Sequence, residues 1–368
     1  MTAATGERAT TALAHTIARE FGTPCAVVDL DRVDANIARL QARCDAAGIA
    51  NRPHIKTHKS PEIARLQRQA GAAGITCQKL GEAEIFAEAG FRDILISYNL
   101  LGEEKIARLA RLARRADPIA SVDNPVAVEA AAEAARRAGR ILPVVIECDT
   151  GRKRAGVETP AEAVEIARLI RDAGGLEMAG FLLYPPEGGV PVTQRFLDEA
   201  TAGCRDLGLP APRIVSTGGT PNLADLGRIA GTTEHRAGTY VFNDRMMVAA
   251  GAATLADCAL TVVATVVSRG GPTRGILDAG SKTLSSDTGK LDGFGLILEH
   301  PEARIHAFAE EHGFLDLSAC AAPPQVGDVV RVIPNHVCVV VNLQNRLVAT
   351  RGGRVVGEIP VAARGRIS

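Results

Sequence analysis

The feature that most constrains this chain is an alternation that repeats along its first two-thirds. From about residue 24 to 240 a short apolar run is followed by an amphipathic stretch, and the cycle recurs. After an opening strand at 25–30, eight runs read as strands: 52–56, 74–78, 93–97, 118–122, 143–148, 179–184, 213–216 and 234–238. The stretches between them carry helical signals. Val33, Ile37, Leu40 and Cys44 recur at spacings that build one apolar stripe. Asp123-Asn124-Pro125 offers a cap side chain and a proline suited to a first turn, with Gly139 as the stop. Strands alternating with helices imply right-handed βαβ units and a parallel sheet. Eight units fit a closed (β/α)8 TIM-like barrel of about 200–250 residues. An open doubly wound sheet is the competing arrangement.

Past residue 250 helical periodicity fades. Segments 260–268, 275–278, 328–333, 337–342 and 354–359 are valine-rich, separated by turn signals such as Gly270-Gly271-Pro272 and Gly352-Gly353. A second, mostly β domain follows from this pattern. The expected division is a barrel over 22–248 and a β-rich domain over 249–368, joined by part of 1–21, which reads as a helix or arm.

Charge and composition remove several function classes. Acidic and basic residues balance at 42 each, so a one-sided basic surface for nucleic acid or anionic membrane is not expected. Aromatics are 3% and tryptophan is absent, which disfavours a base-stacking platform. The eight cysteines are scattered without a close pair and read as reduced thiols. No apolar leader or membrane-length apolar run is seen, so the cytoplasm is the expected location.

Arg52-Pro53-His54-Ile55-Lys56-Thr57-His58-Lys59 ends the first barrel strand, and barrels carry their chemistry at strand C-termini. Lysine is rare, at 7 residues against 35 arginines. Lys56, inside the strand, is the better candidate for a Schiff-base amine than Lys59; a solvated basic loop is the plain alternative. Ser216-Thr217-Gly218-Gly219-Thr220-Pro221 and Gly238-Thr239-Tyr240 follow the seventh and eighth strands. Glycine-exposed N–H groups and hydroxyls can cradle an anion, and phosphate sites recur after late barrel strands.

The lysine segment resembles the cofactor strand of alanine-racemase-like pyridoxal-phosphate enzymes. More narrowly it is similar to the D-threonine aldolase and D-serine dehydratase family, over nearly the whole chain. The resemblance implies pyridoxal 5'-phosphate on Lys56, with Gln78 of Thr76-Cys77-Gln78-Lys79-Leu80-Gly81 approaching its ring. Cys148-Asp149-Thr150-Gly151-Arg152-Lys153-Arg154-Ala155-Gly156 is similar to a family segment that puts Arg154 near the cofactor's phenolic oxygen or the substrate carboxylate. Tyr184 matches a tyrosine that meets the pyridine nitrogen, although the following Pro185-Pro186-Glu187-Gly188-Gly189 departs from the expected polar loop. Thr217, Gly218, Gly219, Thr220, Gly238, Thr239 and Tyr240 would hold the phosphate. His54, His58 and His235 are left as structural, and Asp278 and His312 fall in family-like segments of unassigned role.

Pro334-Asn335-His336-Val337-Cys338-Val339-Val340-Val341-Asn342 reads as a strand, with His336 and Cys338 on one face. Such a pair suits one divalent ion, zinc first and manganese or magnesium as alternatives, or it is a buried histidine beside a buried thiol. The family match favours the metal. By that resemblance the ion meets the substrate's β-hydroxyl, and a cysteine in the second metal position goes with dehydratases, a carboxylate with aldolases. The expectation is therefore a pyridoxal-phosphate- and metal-dependent lyase on D-3-hydroxy amino acids, leaning to water elimination over retro-aldol cleavage, and working as a homodimer. A racemase would want a second tyrosine base, and none follows Tyr240. A non-catalytic pyridoxal-phosphate carrier would lack the β domain.

Overall fold

In the computed structural model, which describes residues 3–368, the first strand β1 (Cys25–Asp29) stands apart from the next eight. Those are β2 (Ala50–Asn51), β3 (Ile75–Cys77), β4 (Asp93–Ile96), β5 (Asp117–Val122), β6 (Leu142–Cys148), β7 (Leu176–Leu183), β8 (Ile214–Thr217) and β9 (Glu234–His235). They form one sheet in the order β2-β9-β8-β7-β6-β5-β4-β3, every pair parallel. A single parallel bridge between His54 and Thr76 joins its two ends. There Thr76 N donates to Pro53 O at 2.8 Å, and Ala73 N to Asn51 O at 2.9 Å. The sheet is thus a closed barrel, as the eightfold beat predicts, and the open doubly wound alternative falls away. The first strand is shorter than expected. Pro53 has no N–H to give to a ladder, and Lys56 lies in a 3-10 turn, Ile55–Thr57, rather than in the strand.

Local signals explain the surrounding helices. Asn124 caps Pro125–Ala138 through its side-chain oxygen on Ala127 N at 3.0 Å, and Gly139 ends it with φ 67°. Thr159 and Glu162 form a capping box at the start of Pro160–Ala173. Leu95, Ile119, Val145, Ala179, Leu182 and Ile214 make one buried cluster among the strands. At the strand starts Arg52 is buried between two carboxylates, with Nε 2.7 Å from Glu234 Oε2 and Nη1 2.6 Å from Asp93 Oδ1. Residues 38–56, 61–238 and 365–368 belong to this barrel unit.

The second unit takes residues up to 37, 57–60 and 239–364. Its strands are β10 (Leu260–Arg269), β11 (Arg274–Leu277), β12 (Leu296–Ile297), β13 (Arg304–Phe308), β14 (Gly313–Asp316), β15 (Val329–Ile333), β16 (Arg346–Arg351) and β17 (Arg354–Pro360). The sheet runs β13-β14-β11-β10-β1-β16-β17, with β15 pairing β10 and β12. The opening strand β1 belongs here, antiparallel to β10 and parallel to β16. Ala14 and Ile17 of the helix Ala3–Phe21 pack with Val27, Val263 and Val348. Asp278 is a structural tie, accepting from Thr23 Oγ1 at 2.5 Å and Thr265 N at 2.8 Å. His312 sits in the turn between β13 and β14, its carbonyl accepting from Ala309 N at 2.9 Å.

One strand expectation is corrected. Residues 337–342 lie in an α-helix, Val337–Leu343, with His336 as its N-cap. A carboxylate remote in sequence, Asp244, accepts from Val337 N at 3.0 Å and starts the helix. Val337, Val340 and Val341 are buried, the spacing of a helix face and not of a strand. Among the described residues no helix is long and apolar enough to cross a membrane.

Candidate active site

Lys56 is half-buried at the mouth of the barrel unit, its Nζ 3.3 Å from Gln78 Oε1. Gln78 follows β3, and its orientation is fixed because Nε2 donates to Ser97 O at 2.8 Å. The same Oε1 lies 3.3 Å from His54 Nε2, while His54 Nδ1 accepts from Lys56 N at 3.4 Å. Nδ1 as acceptor makes Nε2–H the donor toward Gln78. Burial, reinforced by the positive charges of Lys56 and Arg236, holds His54 well below the usual histidine range, so it is neutral. Sequence reasoning left His54 out; only the fold brings it under Lys56 and Gln78.

The loop after β6 is wound around Asp149, which accepts from Gly151 N and Arg154 N, each at 2.7 Å. Burial opposes its ionisation, but these backbone donors outweigh it and hold the carboxyl below its ordinary value. Arg154 is 57% exposed and sits 3.8 Å from the buried Glu147. Burial raises the Glu147 carboxyl above the usual range. Tyr184, just past β7, is faced by the Arg152 guanidinium at 4.2 Å and by Arg154 at 5.2 Å from its ring centroid. Arg236, beside β9, was not anticipated. It is buried, donates from Nη2 to Leu183 O at 3.0 Å, and its Nη1 has no partner among the described residues. Its adjacency to Gly238 was the only sequence signal for it.

Thr217 ends β8, and Gly218, Gly219 and Thr220 turn into the 3-10 segment Thr220–Asp225. Gly218 has φ +74°, and a Cβ there would lie 2.2 Å from His235 Cε1. A Cβ on Gly219 would lie 2.7 Å from Tyr184 Cε2. The turn is therefore held close to two rings and needs glycine at both places. Neither the Gly218 nor the Gly219 N–H has an acceptor among the described residues. Lys56, Gln78, Arg154, Tyr184, Thr217, Gly218, Gly219, Thr220 and Gly238 all belong to the barrel unit, where Lys56 meets Gln78, Arg154 faces Tyr184, and Tyr184 lies against Gly219.

Thr239 and Tyr240 follow Gly238 in the chain but open the 3-10 turn Thr239–Val241 of the β-rich unit. His336 and Cys338 lie there too, hydrogen-bonded to each other although they share no strand face. His336 Nδ1 is 2.5 Å from Asp287 Oδ2. Cys338 Sγ is 3.2 Å from Thr57 Oγ1 and 3.8 Å from Thr239 Oγ1. Burial opposes protonation of His336, but Cys338, then Asp287 and Asp244, lift it to about 9. Asp287 was missed because it lies 49 residues from His336. Among the described residues no third His, Cys, Asp or Glu joins the pair in a metal-holding group. His58 is a buried structural residue, its Nδ1 accepting from Ser60 N at 3.1 Å.

Residues 28–246 match the alanine racemase N-terminal domain family, and residues 259–350 match a putative serine dehydratase domain. A D-threonine aldolase from Arthrobacter sp is 36% identical over 93% of this chain and 93% of its own. The chain belongs to the alanine-racemase-like family that includes the D-threonine aldolases. D-threo-3-hydroxyaspartate dehydratase from Delftia sp. (strain HT23) is 38% identical over 86% of this chain and 90% of its own. Its solved structure has a TM-score of 0.85 at 33% sequence identity, covering 93% of this chain and 98% of that one. The D-threonine aldolase from Filomicrobium marinum also reaches 0.85, at 31% identity over 94% and 96%.

Proposed function

We propose that this chain is a pyridoxal-phosphate- and divalent-metal-dependent lyase that eliminates water from D-3-hydroxy amino acids such as 3-hydroxyaspartate or D-serine. The observation that carries the choice of elimination is Cys338 beside His336. A D-threo-3-hydroxyaspartate dehydratase mutant with a cysteine replaced is described in its metal-free form, and another D-threo-3-hydroxyaspartate dehydratase mutant has a histidine replaced two positions earlier. This chain has His336 and Cys338 at that same spacing. Retro-aldol cleavage to glycine and an aldehyde is the second reading, supported by the aldolase relatives.

The residues present fit both groups. Lys56 would hold the cofactor covalently, with Gln78 and Tyr184 at its ring and Gly218, Gly219, Thr220 and Gly238 at its phosphate. The N–H groups of Gly218 and Gly219, which have no acceptor among the described residues and lie in a turn with no space for side chains, would supply the anion cradle. Thr217, Thr239 and Tyr240 complete the set. For the ion, His336 and Cys338 supply nitrogen and sulfur. Asp287 on Nδ1 is the carboxylate that keeps the other ring nitrogen available to a metal. Two protein ligands leave coordination positions for substrate oxygen, as a catalytic site requires.

Bound pyridoxal phosphate supplies an electron sink for charge at the substrate's Cα, and a divalent ion supplies Lewis acidity toward a hydroxyl oxygen. The chain's own groups do the rest. Lys56 Nζ is the proton carrier at Cα, steadied by Gln78 Oε1. His54, kept neutral, gives its one donor to the same oxygen and leaves the proton work to the lysine. Arg154, largely exposed, offers a carboxylate a bidentate partner. Removal of the Cα proton and loss of the β-hydroxyl as water leave an enamine, whose imine tautomer takes up a water to give a keto acid and ammonia. Removal of the hydroxyl proton instead breaks Cα–Cβ. A homodimer in a reducing, cytoplasmic compartment completes the proposal, the latter supported by eight cysteines that form no disulfide.

The test is to incubate the enzyme with D-threonine, D-serine and 3-hydroxyaspartate isomers and assay products. Ammonia with keto acid is expected, and glycine with aldehyde would move the assignment to the second reading. Lys56→Ala should lose both the visible absorption of the bound cofactor and turnover. Retention of either would overturn the role of Lys56.

A further inference from the structure

By sequence alone His235 reads as a structural histidine, yet its surroundings give it a more specific task. It ends β9 directly opposite Thr217, the last residue of β8, so its side chain falls against the turn that follows. It is 2% exposed. Contact is close enough that a single added carbon on Gly218 would lie 2.2 Å from Cε1 and 2.6 Å from Nδ1. The ring also hydrogen-bonds the Gly219 backbone in the sense that favours the protonated nitrogen, so it donates to the carbonyl oxygen. Nε2 has no partner among the described residues, which makes Nδ1–H the donor. That same carbonyl accepts from Asn222 N at 3.0 Å. On the far side Tyr184 limits Gly219, whose added carbon would meet Cε2 at 2.7 Å.

A ring that merely filled space here would be better as phenylalanine or leucine. An imidazole leaves one nitrogen buried and unsatisfied, which costs stability. What it gains is a directed donor at the Gly219 carbonyl, which closes the two-glycine turn and so fixes the backbone carrying the Gly218 and Gly219 N–H groups. With that carbonyl pinned, the Gly218 and Gly219 N–H groups have no acceptor among the described residues. We propose that His235 is a positioning residue for the phosphate cradle: its ring is the template on which the Gly218-Gly219 turn is set to receive a phosphomonoester. This deepens the pyridoxal-phosphate reading and rests on it, since the turn must be the cradle for the template to matter.

The experiment separates the two. Dissociation constants are measured for pyridoxal phosphate and for pyridoxal, which lacks the phosphate, on apo-enzyme and on the His235→Phe and His235→Asn variants, with thermal unfolding alongside. The wild type should prefer the phosphorylated form. The Phe variant should lose about tenfold of that preference, about 1.4 kcal/mol, with affinity for pyridoxal unchanged. The Asn variant, whose amide can replace the Nδ1 donor, should keep it within about twofold. An unchanged preference in the Phe variant, or equal loss in both variants, overturns the template role. If the Phe variant does not fold, loss of preference in a folded Asn variant overturns it alone. A wild type indifferent to the phosphate would instead sink the cradle itself.

Discussion

The closeness of Gly218 to His235 makes one methyl group an informative perturbation. Gly218→Ala would place a Cβ 2.2 Å from the His235 ring at a φ of +74°. Two costs arise. A left-handed backbone costs an alanine about 1–2 kcal/mol. Overpacking adds about 1–3 kcal/mol, because the buried ring has no room to swing away. Gly231 supplies the control: its φ is +82° and nothing lies within 4 Å of an added Cβ. Gly231→Ala therefore carries the first cost without the second. Urea unfolding midpoints of both variants, read beside the wild type, should place Gly218→Ala well below Gly231→Ala. Titration with pyridoxal phosphate should show weakened binding in the first and unchanged binding in the second. Equal stability in the two variants, with the cofactor retained in both, would refute the steric argument.

Acid should unfold the protein partly through His235. It titrates at about 4 rather than 6.5 because burial, then Arg236, disfavours the charged ring. The unfolded chain takes up the proton first, so stability is full above about 6.5 and falls by about 3 kcal/mol as the pH drops to 4. His235→Asn should flatten that slope between pH 4 and 7; a slope equal to the wild type would disprove the assignment. Cys338→Ala should abolish bound metal, measured by elemental analysis, and turnover, while the cofactor's visible band persists. Full metal content in that variant would remove Cys338 from the ligand set. Glu234→Ala should cost about 3 kcal/mol in urea unfolding, because it strips the buried Arg52 of one of two carboxylates and leaves Ser216 Oγ without its 2.5 Å partner. A change below about 1 kcal/mol would show that Asp93 alone suffices.

Much of the barrel was legible because its signals are local. Asn124 and Gly139 bound a helix through their own caps, and Val33, Ile37, Leu40 and Cys44 are buried as one stripe. The glycine turn after β8 was visible as a motif, and the lysine segment as a resemblance. The segment at His336 was misread for an equally physical reason. A run of valines favours a strand in isolation, but Asp244, far off in sequence, caps its first amide and turns it into a helix. Strand β1 reads like any apolar run ahead of a barrel, and nothing local says that its partners are β10 and β16.

Sequence by itself determined the eightfold beat, the change to a β-rich second part, and the residue types that can do amine, anion and metal chemistry. These follow from periodicity, turn residues and side-chain chemistry, which a chain carries wherever it goes. Tertiary structure alone decided that His54 shares Gln78 Oε1 with Lys56, that Asp287 meets His336, and that His235 lies against Gly218. Those contacts join residues on different strands and loops. Their distances are set by barrel closure and burial, and no periodicity encodes them.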